Sequence, residues 1–462
     1  MNKLLAGVAR RVITPGKGIY LVGYEDRSGG ASSVHDDLYT TALAIQDGKA
    51  KAVLIAVDIL CLHEDIVERL KRRIEKSTAV PKENILVCCS HTHSGPVGYA
   101  PEKITLADKA KHLLHRLLML PAGLRQPRGI TFNRNYLDKL VDQCAEAAEE
   151  AVAEQRTVTL EGGIGKTEEA VNRRELTESG ATVIGVNETG PIDQNIRVLH
   201  IKDGESTLAV VVNLACHAVT LGPNNYAISA DWVGAMRSIV EKHTGGMCLF
   251  IQGACGNINP RTELWTENNY PDLERIGLTV GKEVLQILGR TKPLRSSPII
   301  SLRHVLAAEL NTPDELKNLP IRDIYRTMLH RITGYPFFII EPFLALRYPW
   351  HSLVKKTNDH YTTPIELNAM RIGDIVLTAV SVEPFAETGL AVSGTSPALM
   401  TMFAGYTNGM TAYLPTAEEH ARGGYEVNLV PYVYRLPGVF AADTEKRVVN
   451  KFKEMVAFLY AL

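Results

Sequence analysis

Two histidines, His91 and His93, follow an apolar run at 85–89 and precede a Ser-Gly-Pro turn at 94–96. Side chains two positions apart on a strand point to the same side, so both imidazoles are expected to face one cavity. Imidazole is the commonest metal ligand and titrates close to neutral pH. The pair indicates a metal or acid–base site, whereas two structural histidines of a core or turn would give the same pattern.

A third histidine and a glutamate also follow mostly apolar runs. His217 closes the run at 208–216, and Glu383 closes the run at 375–382. The carboxyl ends of strands are where α/β folds gather their ligands, and a buried carboxylate is costly unless it is paired or bound to metal. Two histidines and a glutamate hold many hydrolytic zinc ions, with one position open for water. Each residue alone could equally be a structural polar group.

A strand-strand-helix-strand pattern occurs twice and predicts how these residues are positioned. Asp47-Gly48 and Asp203-Gly204 each lie between two strand-like runs, which is a strong β-hairpin signal. An amphipathic helix and an apolar strand follow in each copy, over about 63–76 and 84–90 in the first and about 231–243 and 247–252 in the second. We predict an α/β domain of mixed sheets and helices, with an internally duplicated core and the site between its halves, about 1–135 and 155–310. An accidental likeness of two common hairpins is the alternative.

The remaining segments predict a single domain over residues 1–462. A helix with one apolar face is expected over 136–152 and a closing helix over 442–461, with no separate module after it. Two segments, 99–130 and 311–362, are long enough to be inserted lids or binding walls. Ordinary packing is the alternative role for most of their apolar residues.

Composition argues against several classes of function. The 462 residues carry a formal net charge of −1, so no overall field attracts nucleic acid or an anionic bilayer. No apolar run reaches the roughly 18 residues of a membrane span, and the short apolar stretch at 4–9 is interpreted as a first strand rather than a signal peptide. The seven cysteines lack CxxC spacing, which favours reduced thiols. We therefore expect a cytoplasmic protein.

Short motifs follow one another along the chain in a specific order. They are Ala-Gly-Val-Ala at 6–9, Ile-Thr-Pro at 13–15, Gly-Tyr at 23–24, His-Asp-Asp-Leu-Tyr at 35–39, His-Thr-His-Ser-Gly-Pro at 91–96, Asn-Arg at 172–173 and Glu-Pro at 383–384. Together they resemble the catalytic domain of the neutral/alkaline non-lysosomal ceramidases over nearly the whole chain. The order of the motifs, rather than any single one, makes the resemblance specific.

The resemblance implies a zinc site and a set of residues that face the substrate. Carried over motif by motif, the zinc ligands would be His91, His217, Glu383 and Tyr413. His93, Arg173 and Tyr425 would face the substrate carbonyl or the oxyanion. Asp231 is a further candidate, as a partner of the site or a base, and its alternative role is the N-cap of the helix that follows.

The chain departs from the family at the reactive serine. The family segment Gly-Asp-Val-Ser-Pro-Asn corresponds to Gly-Asn-Ile-Asn-Pro-Arg at 256–261, which puts Asn259 in the serine position. An amide is not a hydroxyl nucleophile, so we expect zinc-activated water to attack, with Asn259 donating to the oxyanion and His93 or Asp231 relaying the proton. Cys255 is the other candidate nucleophile, although no base is evident beside it. The family's C-terminal immunoglobulin-like module and secretion signal are not expected in this chain.

These features predict a zinc-dependent hydrolase of an amide or related bond. Its substrate would be a small or lipid-like molecule, smaller or more polar than ceramide. Two alternatives stay open: a zinc hydrolase of an ester or glycosidic bond, because a fold does not determine its substrate, and a non-catalytic relative that binds zinc. No nucleic-acid partner and no transmembrane segment are expected, and homo-oligomer formation is left open.

Overall fold

The computed structural model describes residues 4–24, 27, 29–99, 134–262, 269–335, 350–358 and 360–462. Its strands are β1 (Leu4–Val12), β2 (Ser33–Val34), β3 (Tyr39–Asp47), β4 (Ala50–Val57), β5 (Ile85–Cys89), β6 (Arg156–Thr157), β7 (Thr159–Lys166), β8 (Ala170–Leu176), β9 (Thr182–Asn187), β10 (Asn195–Asp203), β11 (Ser206–Leu214), β12 (Ala227–Ile228), β13 (Met247–Gln252), β14 (Ile258–Pro260), β15 (Lys292–Leu294), β16 (Ile299–Asn311), β17 (Lys355–Thr357), β18 (His360–Ile372), β19 (Ile375–Val380), β20 (Glu383–Pro384), β21 (Met400–Ala404), β22 (Tyr413–Leu414) and β23 (Val439–Phe440). Its α-helices are α1 (Glu64–Thr78), α2 (Arg134–Ala153), α3 (Trp232–Thr244), α4 (Tyr270–Leu288), α5 (Ile321–Thr333), α6 (Ala386–Ser393), α7 (Ala417–Arg422), α8 (Val430–Val433) and α9 (Thr444–Ala461).

In the described part of the chain, three large sheets share one strand order. They run β5-β4-β3-β1-β6, β13-β11-β10-β7-β15 and β21-β19-β18-β16-β23. In each sheet, three antiparallel strands are followed by a helix and then by a strand parallel to the third, because a parallel pair needs a crossover connection. The predicted α/β class with mixed sheets is confirmed. The pattern recurs three times in the topology, whereas the duplication of the core stays a prediction.

Three tight hairpins of the same kind connect the second and third strands of these sheets. Each has a two-residue loop, and the first loop residue is Gly48, Gly204 or Gly373, with φ of 58°, 59° and 57°. This left-handed conformation favours glycine and matches the twist of the flanking strands. Ile372 precedes the third glycine where an aspartate precedes the other two. The Asp-Gly dipeptide therefore predicted two of these hairpins and did not predict the third.

An apolar core fills the space where the inner faces of the three sheets meet. The buried side chains that line it come from all three sheets: Leu43, Ile45, Leu54, Leu199, Val211, Met370, Leu377 and Met402. Helix α2 covers the outer face of the first sheet, α3 and α4 cover the second, and α9 covers the third. Each large apolar side chain contributes about 1.5–3 kcal/mol when it is fully buried. The core therefore holds the three sheets in a fixed relation, with the carboxyl ends of their central strands together.

Other predicted segments can be compared with the structure. Helices α2 and α9 confirm the helices predicted over 136–152 and 442–461. The predicted insertion 311–362 connects β16 to β18 and contains α5, with residues 336–349 and 359 outside the described residues. The predicted insertion 99–130 lies outside them too, apart from its first residue. The division into one domain with two core halves stays a prediction. No helix among the described residues is long and apolar enough to cross a bilayer.

Candidate metal and active site

Each of the three sheets brings a polar side chain to the same place. His91 follows β5, His217 follows β11, and Glu383 begins the short strand β20 just after β19. All three are buried, with exposed fractions of 2%, 0% and 0%. The carboxyl ends of these strands meet above the central core, so residues far apart in sequence become neighbours.

The ligand atoms of these residues converge. Oε1 of Glu383 lies 3.0 Å from Nε2 of His217 and 3.4 Å from Nε2 of His91. Nε2 of His93 lies 3.4 Å from Nε2 of His91. The three histidines offer ligand atoms that all lie within 4.8 Å of one another. The predicted pair at 91 and 93 and the predicted His217 and Glu383 therefore come together in one cluster.

Backbone carbonyls determine which nitrogen of each ring carries the proton. Nδ1 of His91 lies 2.9 Å from the carbonyl oxygen of Leu60. Nδ1 of His217 lies 2.9 Å from that of Ile258, and Nδ1 of His93 lies 3.1 Å from that of Gly23. A carbonyl only accepts, so each Nδ1 donates and each Nε2 of a neutral ring presents a lone pair. Lone pairs and a carboxylate oxygen that face one another repel unless a proton or a metal cation lies between them. The donor set therefore fits a metal ion.

The electrostatics of the cluster favour the same conclusion. Burial lowers the pKa of His217 to about 4, with Arg173 adding to this effect. Burial by itself would raise the pKa of Glu383, but the two neighbouring histidines, His91 and His217, hold it below its usual range. The second oxygen of this carboxylate, Oε2, is buried without a hydrogen-bond partner. An ionised carboxylate beside imidazole nitrogens is a strong site for a divalent cation.

Tyr413, the fourth ligand implied by the family resemblance, lies next to Glu383. Strands β20 and β22 are parallel, and their register pairs Glu383 with Tyr413. The Tyr413 hydroxyl accepts a hydrogen bond of 3.0 Å from Nη2 of Arg173. Burial raises the pKa of this phenol well above its usual value, although Arg173 opposes the shift. Coordination by Tyr413 stays a prediction.

Arg173 connects three segments around the cluster. It lies on β8, and besides Tyr413 it donates from Nε to Glu426 (2.9 Å) and from Nη1 to Asn259 (3.3 Å). Arg174 donates to the same Glu426 and to Glu419. All of these side chains are buried, so this is a compact network of opposite charges behind the site.

Asn259, in the family's serine position, is oriented by Arg173. Strand β14 carries it beside β8, and its Oδ1 accepts the hydrogen bond from Arg173. A guanidinium has no acceptor, so the amide oxygen must face it. The Nδ2 group of Asn259 is therefore directed away from Arg173 as a donor.

The other predicted residues have different surroundings. The Tyr425 ring lies 6.3 Å from that of Tyr413, and burial raises its pKa to about 12. Asp231 accepts from the backbone amides of Trp232, Thr220 and Leu221 at 2.8–3.2 Å. These contacts match the N-cap alternative, since Asp231 caps α3, and both of its oxygens are occupied.

Cys255 does not have the surroundings of a nucleophile. Its sulfur lies 3.0 Å from the Tyr406 hydroxyl, and burial raises the pKa of the thiol well above its usual value. A reactive cysteine needs the opposite shift.

Two residues next to the histidines were not found from the sequence. Tyr406 stacks on His91 with ring centroids 4.0 Å apart. It follows β21 by two positions, as His91 follows β5, so recognition of the third strand pattern would have indicated it. Gly23 has a φ of 103°, and a Cβ there would lie 2.4 Å from Nδ1 of His93. The sequence signal for Gly23 is the Gly-Tyr pair at 23–24, which by itself indicates only the family resemblance.

The amino-acid sequence is similar to those of several known proteins. No protein-family model matches it. Neutral ceramidase of Mycobacterium tuberculosis is 19% identical over 465 residues, which cover 88% of this chain and 70% of that protein. Neutral ceramidase of Pseudomonas aeruginosa is 22% identical over 59% of this chain and 40% of that protein. Neutral ceramidase A of Dictyostelium discoideum is 21% identical over 54% of this chain and 34% of that protein.

Solved structures match nearly the whole chain. The crystal structure of neutral ceramidase from Pseudomonas aeruginosa has a TM-score of 0.71 at 18% identity, over 99% of this chain and 75% of that one. The chain is related to the neutral ceramidases. A ceramidase complexed with C2 gives a TM-score of 0.72 at 18% identity, over 100% of this chain and 76% of that one. The resemblance to neutral ceramidases seen in the motifs is thereby confirmed, and the neutral ceramidase fold is the fold of this chain.

Proposed function

We propose that the protein is a zinc-dependent hydrolase that cleaves an amide or related bond. The proposal rests on one observation above all, the meeting of three imidazoles and one carboxylate at the carboxyl ends of strands from different sheets. The zinc ligands would be His91, His217, Glu383 and Tyr413, with His93 beside the ion rather than bound to it, because Oε1 of Glu383 contacts His91 and His217. Structural zinc sites are commonly closed by cysteines, whereas histidine and carboxylate ligands are typical of reactive ones.

Zinc bound at this place would polarise a carbonyl and bring the pKa of a coordinated water to about 7. The chain's own residues then stabilise the charge that develops on the substrate. The Nδ2 group of Asn259 donates a hydrogen bond to the carbonyl oxygen as it becomes negative. The positive charge of Arg173 lies directly behind that amide and favours the same charge distribution. Tyr425 supplies a further hydroxyl near Tyr413.

His93 is the residue that handles the proton. It is partly exposed, whereas His91 and His217 are buried, so it is the histidine nearest to the substrate side. Its Nδ1 donates to the carbonyl oxygen of Gly23. Its Nε2 is therefore the nitrogen that takes a proton from the attacking water and returns it to the leaving group. Asp231 is left out of this scheme because backbone amides occupy its carboxylate.

The amide bond is proposed from the relatives. Their names identify ceramide, an N-acyl amide, as the substrate of those proteins. With Asn259 in the serine position, attack by water needs no covalent acyl-enzyme, and we propose a substrate smaller or more polar than ceramide. A cytoplasmic location and the oligomeric state stay predictions from composition.

A non-catalytic zinc-binding relative is the second candidate, and the Asn259 replacement is the observation that favours it. Against it, Arg173 still contacts Asn259, Tyr413 and Glu426 in the site. A protein that only binds zinc would not need the Arg173 guanidinium to orient the Asn259 amide. Ester and glycosidic bonds remain alternatives for the scissile group.

The test combines metal analysis with a substrate screen. Purified protein is assayed for zinc and for hydrolysis of N-acyl amides, esters and glycosides, beside His91→Ala and the exposed control His243→Ala. We expect about one zinc per chain and amide hydrolysis in the wild type and the control, and neither in His91→Ala. Zinc-loaded protein that is inert towards all three classes would favour the binding role. Hydrolysis that survives both chelation and His91→Ala would contradict the proposed function.

A further inference from the structure

Gln252, the last residue of β13, is fully buried between the two backbone segments that lead into the site. Its Nε2 donates to the carbonyls of Ser90 (3.1 Å) and Cys216 (2.8 Å). Its Oε1 accepts from the amides of Cys216 and Gly253, both at 3.2 Å. Two donated and two accepted bonds use the full capacity of a glutamine side chain.

The partners of Gln252 determine how its amide is oriented. Carbonyls only accept and backbone amides only donate, so exchanging its oxygen and nitrogen would break all four bonds. Ser90 directly precedes His91, and Cys216 directly precedes His217. One side chain therefore connects the segments that carry two predicted zinc ligands, one from the first sheet and one from the second.

The main chain of Gln252 extends this connection to the third sheet. Its carbonyl accepts from the amide of Gly405 at 3.1 Å. Gly405 directly precedes Tyr406, whose ring stacks on His91. Backbone from all three sheets is thus bonded to this one residue, in each case one position before His91, His217 or Tyr406.

The end of a parallel strand does not by itself require such a residue. Strands β5 and β21 correspond to β13 in the other two sheets, and they end in Cys89 and Ala404. Both of those residues are small and buried. Closing the sheet therefore does not account for the four side-chain bonds of the glutamine.

We propose that Gln252 is a positioning residue of the metal site, which sets the separation of the His91 and His217 imidazoles. The inference rests on the proposed function, because it assumes that both histidines bind the same ion. Zinc–ligand distances tolerate only about ±0.2 Å, so a shift of either segment weakens binding. Contacts that orient metal ligands typically change metal affinity by about 10- to 100-fold.

The experiment compares Gln252→Met with a matched control, Asn213→Leu. Methionine has a similar length and makes none of the four bonds. Asn213 is also buried, and its Nδ2 donates to the carbonyls of Ile251 (3.0 Å) and Phe403 (2.9 Å), which do not adjoin a histidine. Zinc affinity is measured by competition with a chromophoric chelator, and the visible spectrum of the Co²⁺-loaded protein reports ligand geometry. The melting temperature and far-ultraviolet circular dichroism of each variant give its stability and folding.

We expect Gln252→Met to bind zinc about 10- to 100-fold more weakly and to change the Co²⁺ spectrum. Asn213→Leu should lose stability but keep the wild-type affinity and spectrum. If the methionine variant does not fold, Gln252→Glu is used, because its carboxylate keeps the two accepted bonds and loses the two donated ones, and the same loss of affinity is expected.

Three results would overturn the inference. A folded Gln252 variant with wild-type affinity and spectrum would overturn it alone and leave the proposed function intact. Failure of both Gln252 variants to fold, while Asn213→Leu folds, would assign the residue a structural role instead. A wild-type protein that binds neither Zn²⁺ nor Co²⁺ would overturn the proposed zinc site together with this inference.

Discussion

Two buried polar clusters lie next to each other and are built in opposite ways. In the histidine cluster acceptors face acceptors, since Oε1 of Glu383 lies 3.0 Å and 3.4 Å from Nε2 of His217 and His91. In the neighbouring arginine cluster each charge contacts an opposite one, among Arg173, Arg174, Glu419 and Glu426. The first cluster offers ligand atoms to a cation, whereas in the second the charges are paired within the chain. The histidine cluster therefore has the composition of a binding site, and the arginine cluster that of a structural ion-pair network beside it.

Loss of the cation is expected to have the largest effect. With metal at about 1,000 times its Kd, binding stabilises the folded state by about 4 kcal/mol, and EDTA removes this contribution. Glu383→Gln keeps the shape of the side chain but not its charge, so the variant should be inactive and insensitive to EDTA. Urea unfolding with and without EDTA measures this, with the exposed Glu454→Gln as control. An EDTA effect of wild-type size in Glu383→Gln would show that this carboxylate does not hold the ion.

Breaking the arginine cluster should cost stability even without metal. Glu426→Leu leaves two buried guanidinium groups without their shared partner, and such a change typically costs about 3–5 kcal/mol. The control is Glu68→Ala, which breaks surface pairs with Arg72 and Lys82, each of which contributes below about 1 kcal/mol. Urea unfolding of EDTA-treated protein gives both values. An equal loss in the free energy of unfolding for the two variants would show that the buried arginine cluster contributes no more to stability than a surface ion pair.

Asn259 accepts from Arg173 beside the histidine cluster, and its removal should lower turnover without changing zinc content. Asn259→Ala loses the donor to the developing oxyanion, which typically lowers kcat by about a hundredfold or more. Zinc content should not change, because none of the proposed ligands is altered. Steady-state kinetics and metal analysis of the same preparation test this. Wild-type turnover in the alanine variant would remove Asn259 from the mechanism.

The smallest effect is expected at Gly23, where backbone conformation and site geometry can be separated. Gly23→Ala and Gly180→Ala both place a side chain at positive φ, 103° and 80°, and this backbone conformation alone costs about 1–2 kcal/mol each. A Cβ at Gly23 meets His93, whereas one at Gly180 has nothing within 4 Å. Only Gly23→Ala should therefore lower kcat. An equal fall in kcat for both variants would point to general destabilisation instead.

The sequence predicted those parts of the fold that depend on local patterns. Two hairpins were indicated by glycines that follow an aspartate, and the third was missed because Ile372 precedes Gly373. The requirement that all three hairpins share is the positive φ of the glycine, and an aspartate precedes it in only two of them. A hairpin without the expected dipeptide, followed by the short helix α6, gives a weak signal even though its topology is the same.

The same reasoning explains which site residues could be found. Three site residues are polar residues that directly follow apolar runs: His91, His217 and Glu383. This contrast between neighbouring residues can be recognised from the sequence alone. Gln252 and Glu426 act through partners from other sheets and segments, so no nearby pattern indicates them. Asp231 before a helix was ambiguous, because an N-cap and a catalytic base use the same side chain.

Diffraction data collected across the zinc absorption edge, from crystals of protein purified without chelators, test the central claim most directly. We predict one anomalous peak, about 2.0–2.2 Å from Nε2 of His91, Nε2 of His217 and the carboxylate of Glu383. Its distance to the Tyr413 oxygen would show whether the phenol is the fourth ligand. A map without a peak, in which His217 and Glu383 share a hydrogen bond instead, would contradict the claim.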